Sequence, residues 1–316
     1  MPVTPEVSVC LTACNRGAII AETIQSILEQ ECGNFELLIG DDASADNTDA
    51  VCREYAARDG RIRYFRHGTN LGMPGNLNFL IRRASASLVA NLHDGDVYRK
   101  DLLSQWKRAL DDQPDAAFVW NHLKGIDSSG NSVDEPVIMR RPDFPERIEV
   151  RELVEFMLRD FRSPVWGTVM ARAACYRDVG LFNARYGFIS DVEMWMRLNL
   201  HYPVAYIREP LITLRAREID TFTHVNWERE RALVAIHEDI AHQYHKGDPV
   251  TIAKAVRDIR RRKDMRWMRH LGSCLRRRKM DLYRQGVRMF YYDDSPVLKV
   301  ASIVGAPFMS IPAAKS

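Results

Sequence analysis

The sequence predicts an α/β protein, a mostly parallel sheet flanked by helices, with a helical C-terminal extension. Three observations predict it. The first two hundred residues alternate strand-like and helix-like segments, the pattern of parallel strands joined through covering helices. Beyond about Thr221 the strand-like segments stop. Finally, several strand-like segments end on acidic residues, at the end of the strand where open parallel sheets bind ligands.

Taken in order, Val7 to Ala13 is a continuous apolar run suited to a buried strand. A helical pattern follows in which Ile20, Ile24, Ile27 and Leu28 share a face. Phe35 to Ile39 is a second strand, closed by Asp41-Asp42-Ala43-Ser44, and a helix runs from about Asp46 through Tyr55. Arg61 to Phe65 alternates as a third strand. After a loop rich in Gly and Asn (His67 to Gly75), a helix runs to about Arg83, and Ser87 to Leu92 is a fourth strand ending at His93-Asp94-Gly95-Asp96. Leu102 to Leu110 reads as a helix and Ala116 to Trp120 as a strand. Residues 121–149 read as a long irregular stretch with a turn at Asp127-Ser128-Ser129-Gly130; loops of that length in compact domains are often functional. The C-terminal helices are divided at Gly247-Asp248-Pro249 and at Gly272.

Composition limits the function classes. With 46% apolar and 28% charged residues over 316 positions, the chain has material for a sizeable core plus an appendage. Its six cysteines form no CxxC pair, which argues against zinc and for a reduced, cytoplasmic setting. No basic segment precedes an apolar run at the start, so no signal peptide is expected, and Val297 to Pro312 is too short and too interrupted to span a bilayer. The net charge of +3 hides an asymmetry: fourteen Lys/Arg against three Asp between Lys254 and Arg288 give +11 locally and leave −8 elsewhere.

The acidic clusters carry the chemistry. Asp41-Asp42 closes the second strand, Asp94-x-Asp96 the fourth, and Asp191 opens the segment Asp191-Val192-Glu193-Met194-Trp195. An acidic mouth would repel a diphosphate unless a divalent cation intervened, and carboxylates without His or Cys favour Mg²⁺ or Mn²⁺. Such a cation would stabilise a departing nucleoside diphosphate, while a further carboxylate could deprotonate an acceptor hydroxyl. Each cluster also has a structural reading: Asp-Asp-Ala-Ser and Asp-Gly-Asp are turn and cap chemistry, and Ser190-Asp191-Val192-Glu193 has the form of a capping box. Residue types and spacing reach a phosphate-handling α/β enzyme and do not choose among transferases.

The choice comes from a resemblance. Val7 to Arg16, the run Phe35 to Thr48 with its Asp-Asp-x-Ser-x-Asp-x-Thr turn, Asn70-Leu71-Gly72, Gly167 to Phe182 and Asp191 to Leu198 together resemble, in order, the family 2 glycosyltransferases of the GT-A fold, a Rossmann-like architecture. The resemblance continues to about residue 217. It implies a catalytic domain over 1–220, with a nucleotide-sugar half at about 1–120 and an acceptor half at about 121–220, ahead of the basic extension 221–316. It further implies that Thr12 and Asp42 contact the nucleotide base, with Asn15 and Arg16 bordering that pocket. Asp94 and Asp96 would hold the ribose and the metal–diphosphate, and Asp191 would be the general base of an inverting displacement. The donor would be a nucleotide-diphosphate sugar, a UDP-sugar by default, with Mn²⁺ or Mg²⁺, and the acceptor a glycan or lipid-linked glycan.

Three departures from the family pattern stand out. Thr12-Ala13-Cys14 replaces a Pro-Thr-Tyr whose ring can stack on the base. Asp94-Gly95-Asp96 replaces Asp-Asp-Asp, so Gly95 either shifts the metal pair to Asp94 and Asp96, the favoured reading, or weakens metal binding. Arg215-Ala216-Arg217 stands where relatives often carry a metal-site His, the nearest here being His224. No Gln-x-x-Arg-Trp and no string of membrane spans is present, which favours one sugar per encounter.

In the basic extension Trp267, Met268, Leu271 and Leu275 read as roughly one helical face among Arg260 to Lys263 and Arg276 to Lys279. Residues 254–288 can be a solvated cap or a surface that lies on an anionic membrane; nucleic acid is not expected, since no recognised module supports it. Two other functions stay open, a non-catalytic nucleotide-sugar binder or scaffold of the same fold and a nucleotidyltransferase.

Overall fold

The computed structural model describes residues 4–126, 132–133, 144–215, 226–291, 293, 295 and 298. It resolves into two compact units, Met1–Glu218 and Ile219–Ser316.

The first unit opens with β1 (Val7–Ala13), α1 (Ile20–Leu28), β2 (Phe35–Asp41), α2 (Thr48–Arg58), β3 (Ile62–Arg66), α3 (Gly72–Ile81) and β4 (Leu88–His93). The chain continues through β5 (Val97–Tyr98), α4 (Leu102–Asp112), β6 (Phe118–Ile126), β7 (Ser132–Val133), β8 (Arg147–Ile148), α5 (Glu152–Asp160), β9 (Val169–Arg172), α6 (Ala173–Val179), α7 (Ser190–Asn199) and β10 (Val204–Arg215). The sheet runs β3-β2-β1-β4-β9-β6-β10-β5, with β7 on β6 and β8 on β10. Pairs β3–β2, β2–β1, β1–β4 and β6–β10 are parallel; β9 enters antiparallel between β4 and β6. This is the mostly parallel, helix-flanked sheet that the sequence predicts.

The apolar periodicities explain the layers. Val7, Val9 and Leu11 of β1 and Leu37 and Ile39 of β2 are fully buried, as expected of central parallel strands covered on both faces. Ile20, Ile24 and Ile27 press α1 onto the sheet, and each side chain so removed from water contributes about 1.5–3 kcal/mol. Leu28, assigned by periodicity to the same face, is only partly buried. On the other side Trp195 of α7 is fully buried against Phe118 and Phe182, with ring centroids 5.1 and 5.6 Å away.

Part of the stretch read as irregular is ordered: β6 runs on to Ile126 alongside β10, and β8 pairs with β10. Its segment His122-Leu123-Lys124-Gly125 has little β-branched or aromatic content, so local propensity was silent and the parallel ladder with β10 supplies the stability. The turn at Asp127 to Gly130 lies outside the described residues, as do Ala216, Arg217 and His224.

The second unit contains α8 (Trp227–Tyr244), α9 (Pro249–Arg276) and α10 (Met280–Tyr291). Asn226 caps α8 by accepting from the Arg229 N–H, and Asp248 caps α9 by accepting from Val250 and Thr251 N–H, with Pro249 next in line. Gly272 does not divide the helices: α9 passes through it. A glycine inside a helix costs about 1 kcal/mol, and burial of the neighbouring Leu271 and Cys274 outweighs that. Trp227, Trp267, Leu271, Tyr283 and Val287 form the core of this unit. No helix among the described residues is long and apolar enough to cross a membrane.

A buried carboxylate anchors this helical unit. Glu230 is fully buried, and Arg266 grips it through two bonds of 2.6 and 3.0 Å, with His270 at 3.5 Å. Burial opposes ionisation, but the nearby His270 and the hydrogen bonds from Arg266 prevail and hold the carboxyl down at about 2. Glu230→Gln, which removes the charge and leaves Arg266 unpaired, should destabilise this unit by about 3–5 kcal/mol, read as a lowered midpoint in urea-induced loss of helical circular dichroism.

Candidate active site

Strand register assembles the site. At the carboxyl edge of the parallel strands Ala13 is level with Asp41 and Thr12 with His93, so the segments beginning at Cys14, Asp42 and Asp94 leave the sheet side by side. The order β3-β2-β1-β4 reverses direction at β1, the kind of crevice in which open α/β sheets take ligands. Because β9 is antiparallel and Val169 pairs with Asn91, Gly167 and Thr168 arrive at this same edge from the other half of the unit.

Most of the Asp-Asp-x-Ser-x-Asp-x-Thr turn is a clasp around the end of β1. Ser44 Oγ accepts from the Asn15 N–H at 2.9 Å, Thr48 Oγ1 from the Arg16 N–H at 2.8 Å, and Asp46 from the Gly17 N–H at 2.9 Å. The buried Asp41 carboxylate accepts from the Ser44 N–H at 3.0 Å and from the Tyr64 hydroxyl at 2.8 Å. Asn15 and Ala43 both take positive φ, 54° and 58°. For alanine that left-handed conformation costs about 1–2 kcal/mol, strain held by the clasp at the turn that carries Asp42.

Asp42 itself is buried and accepts from the Leu71 N–H at 2.6 Å, which draws the Asn70-Leu71-Gly72 loop over the end of β2. Asn70 donates to the Asp42 carbonyl at 3.3 Å, and the Cys14 sulfur lies 3.6 Å from both that carbonyl and the Asn70 amide nitrogen. Thr12, Cys14, Asp42 and Asn70 therefore gather at one end of the edge. The Asn15 side chain accepts from the Ala45 N–H at 2.9 Å and so braces the turn. Arg16 turns toward β4, its Nε 3.3 Å from Asp94 Oδ1.

Asp94 accepts from the Cys14 N–H at 3.1 Å, tying the β4 cluster to β1. Gly95 has φ of +110°, a region that other residues rarely adopt, so the glycine at the centre of Asp94-Gly95-Asp96 is required by the backbone. Thr23, buried in α1, holds this bend from below: its hydroxyl accepts from the Gly95 N–H at 3.0 Å and donates to the Asp96 carbonyl at 2.9 Å. Asp94 and Asp96 are both buried. Among the described residues no group of three or more His, Cys, Asp or Glu stands together as a self-sufficient metal cage.

Asp191 lies in the first turn of α7. The expected capping box is not formed: the buried Ser190 hydroxyl has no hydrogen-bond partner, and Glu193 is bound instead by Arg197 at 2.8 and 3.1 Å. Arg197 also donates to the carbonyls of Gly180 at 3.2 Å and Leu181 at 2.8 Å, so the tertiary tie overrides the local one and fixes α7 against the end of α6. Desolvation pushes the Asp191 carboxyl up to about 7, against the N–H groups of Val192 and of Asp191 itself, which favour the anion. A carboxyl balanced near neutrality suits proton abstraction.

Gly167 joins Asp191 to the β4 cluster. A Cβ placed on it would stand 2.6 Å from the His93 ring and 3.1 Å from Asp191 Oδ2. His93 immediately precedes Asp94, so the contacts run without a break from Asp42 through Cys14 and Asp94 to His93, Gly167 and Asp191. Sequence reasoning did not single out Thr23, His93 or Gly167. A threonine on an apolar helix face, one histidine and one glycine carry no spacing signal; the pairing of β9 with β4 brings Gly167 to His93, and the packing of α1 brings Thr23 to Gly95 and Asp96.

With this geometry established, comparison with known proteins decides the family. Residues 8–176, just over half of the chain, match the description Glycosyl transferase family 2. The chain belongs to that family. It is 26% identical over 216 residues to the putative glycosyltransferase EpsH of Bacillus subtilis (strain 168), a match covering 67% of this chain and 61% of EpsH. Among solved structures, S. aureus TarS 1-349 in complex with UDP-GlcNAc aligns with a TM-score of 0.59 at 18% identity over 89% of this chain and 90% of that one. The mannosyltransferase PcManGT from Pyrobaculum calidifontis, in complex with GDP-Man and Mn²⁺, aligns with a TM-score of 0.56 at 16% identity over 97% and 81%. These likenesses show the GT-A fold.

Gly167→Ala should drive a methyl group between His93 and Asp191. Transfer is expected to fall about 100-fold, the scale of a misplacement near 1 Å, while far-UV circular dichroism and the melting temperature change little.

Proposed function

We propose that this family 2 glycosyltransferase moves one sugar, with inversion, from a nucleotide-diphosphate donor to a hydroxyl of a glycan or lipid-linked glycan, with Asp191 as the general base. The observation that carries the proposal is the contact path joining Asp42, Asp94 and Asp191 along one strand edge. Thr12 and Asp42 would receive the nucleotide base, and Asp94, compensated by Arg16, the ribose and the near end of the diphosphate. The acceptor oxygen forms its bond to the anomeric carbon as the bond from that carbon to the phosphate oxygen breaks. The diphosphate leaves with the electron pair, and the hydroxyl proton passes to Asp191. A single displacement on the face opposite the leaving group inverts the anomeric centre.

The donor set fits a hard divalent cation. Asp94 and Asp96 offer carboxylate oxygens without His or Cys, and magnesium-like ions are commonly held by one or two carboxylates completed by substrate phosphates and water. When bound, Mg²⁺ or Mn²⁺ would neutralise charge developing on the leaving diphosphate. The φ of Gly95 supports Asp94 and Asp96 as that pair, because a central Asp would be strained in this bend. The complex of PcManGT with GDP-Man and Mn²⁺ and that of TarS with UDP-GlcNAc support a nucleotide-sugar donor here and leave the base as uridine or guanosine.

The decisive assay incubates the purified chain with a panel of nucleotide sugars and Mn²⁺, with and without lipid extract, and measures nucleoside diphosphate release. Donor binding with no turnover on any of them would favour the scaffold reading. Asp191→Asn should retain donor binding and lose transfer by 100-fold or more, the usual contribution of a general base being about 10²–10⁴. Because Asp191 acts only when ionised, the wild-type rate should rise with pH to a midpoint near 7. Stability should move oppositely. A folded-state value raised above the unfolded one stabilises at low pH, and that contribution is lost as pH rises through about 7. Asp191→Asn should therefore melt above the wild type at pH 8 and lose that advantage in acid. Asp96→Ala should weaken donor binding in Mn²⁺ while leaving metal-free binding unchanged in isothermal calorimetry; an unaltered metal response would remove Asp96 from the cation site.

A further inference from the structure

The outward face of α9 combines features that a solvated helix does not need. Its inner face is fixed: Ile259, Lys263, Trp267, Leu271 and Cys274 are buried, so the helix cannot roll. Along the opposite face Lys254, Arg257, Arg261, Met265, Met268, Arg269, Leu275 and Arg276 are exposed and recur at helical spacing. The apolar group read from the sequence as one face is thus split, with Trp267 and Leu271 turned inward and Met268 and Leu275 outward. Of the seven large apolar side chains that stand exposed among the described residues, four (Val250, Met265, Met268 and Leu275) belong to this one helix. Mutual attraction between acids and bases does not account for the charges. Among the described residues Lys254, Arg257, Arg261 and Arg276 form no ion pair, and Asp258 is the acidic residue set near the stripe. Arg277, Arg278 and Lys279 extend the cationic end beyond the helix, all exposed.

We propose that this face of α9 is a docking surface for an anionic lipid bilayer, on which the helix lies parallel to the membrane plane. Charge complementarity selects the lipid phosphates, which Lys254, Arg257, Arg261, Arg269 and Arg276 meet at headgroup level. Met265, Met268 and Leu275, flexible or branched aliphatic chains interleaved with those cations, enter the boundary between headgroups and acyl chains. A nucleic acid would reward the cations but offers aliphatic side chains nothing, and its binding surfaces use stacking aromatics that the stripe lacks. Such docking would hold the enzyme beside a lipid-linked acceptor, though the surface is argued independently of the reaction.

The test is sedimentation of the full chain with vesicles of phosphatidylcholine alone or with one third phosphatidylglycerol, at two salt concentrations. Binding at least tenfold tighter to the acidic vesicles is expected, weakened by salt. The variant Met265→Ser/Met268→Ser/Leu275→Ser, with every charge intact, should lose about tenfold of that affinity while keeping its melting temperature and its nucleoside diphosphate release in detergent-free buffer. Four outcomes overturn the proposal. They are no preference for acidic vesicles, unchanged binding by the triple variant, tighter binding to single-stranded RNA than to vesicles, and vesicle binding that appears only after removal of residues 299–316, which would make that segment the occupant.

Discussion

The register of β1 with β2 and with β4 is the constraint on which the acidic strand edge depends. It brings three chain segments out of the sheet at one level, so that the Cys14 backbone can touch Asp94 on one side and the Asp42 carbonyl on the other. A shift of one residue in either pairing would turn every side chain of the shifted strand to the other face and break both contacts. Burial on both sides of β1 and β2 makes such a shift prohibitive. Hydrophobic packing thus sets the position of polar groups that contribute little to packing themselves.

Much of the fold was legible because apolar period and turn chemistry agree in the first half. Val7 to Ala13 and Phe35 to Ile39 could only be central strands, and each ended on residues that do not continue a strand. The acidic candidates were legible for the same reason, since polar residues at the ends of buried strands have few positions to take. What could not be read were relations across the sheet. The antiparallel entry of β9 places Gly167 beside His93, and nothing in Gly-Thr-Val-Met announces its partner. The local reading of Ser190 to Glu193 as a capping box failed because Arg197, anchored on the carbonyls of Val179, Gly180 and Leu181, draws Glu193 into a charge-assisted pair one helical turn on. Likewise Gly272 looked like a helix stop, yet a packed face on both sides of it keeps α9 continuous.

The motif residues divide by what they touch. Asp41, Ser44, Asp46 and Thr48 spend their oxygen atoms on backbone N–H groups and on Tyr64, so their conservative-looking polarity is structural: it holds Asn15 and Ala43 in strained conformations. Asp42 of the same turn bonds the Leu71 N–H instead, and Asp94 the Cys14 N–H, so these two carboxylates tie separate chain segments together at the strand edge.

Electrostatics separates the two units in sign. The carboxylates at the strand edge concentrate negative charge, which Arg16 and the backbone N–H groups of Cys14 and Leu71 compensate in part. Asp191 differs: desolvation, opposed only by two backbone N–H groups, raises its proton affinity. The helical unit handles charge in the reverse manner. Glu230, fully buried, is paired by Arg266 and His270, Arg260 pairs with Glu238 and Lys263 with Asp293, while among the described residues Lys254, Arg257, Arg261 and Arg276 form no ion pair.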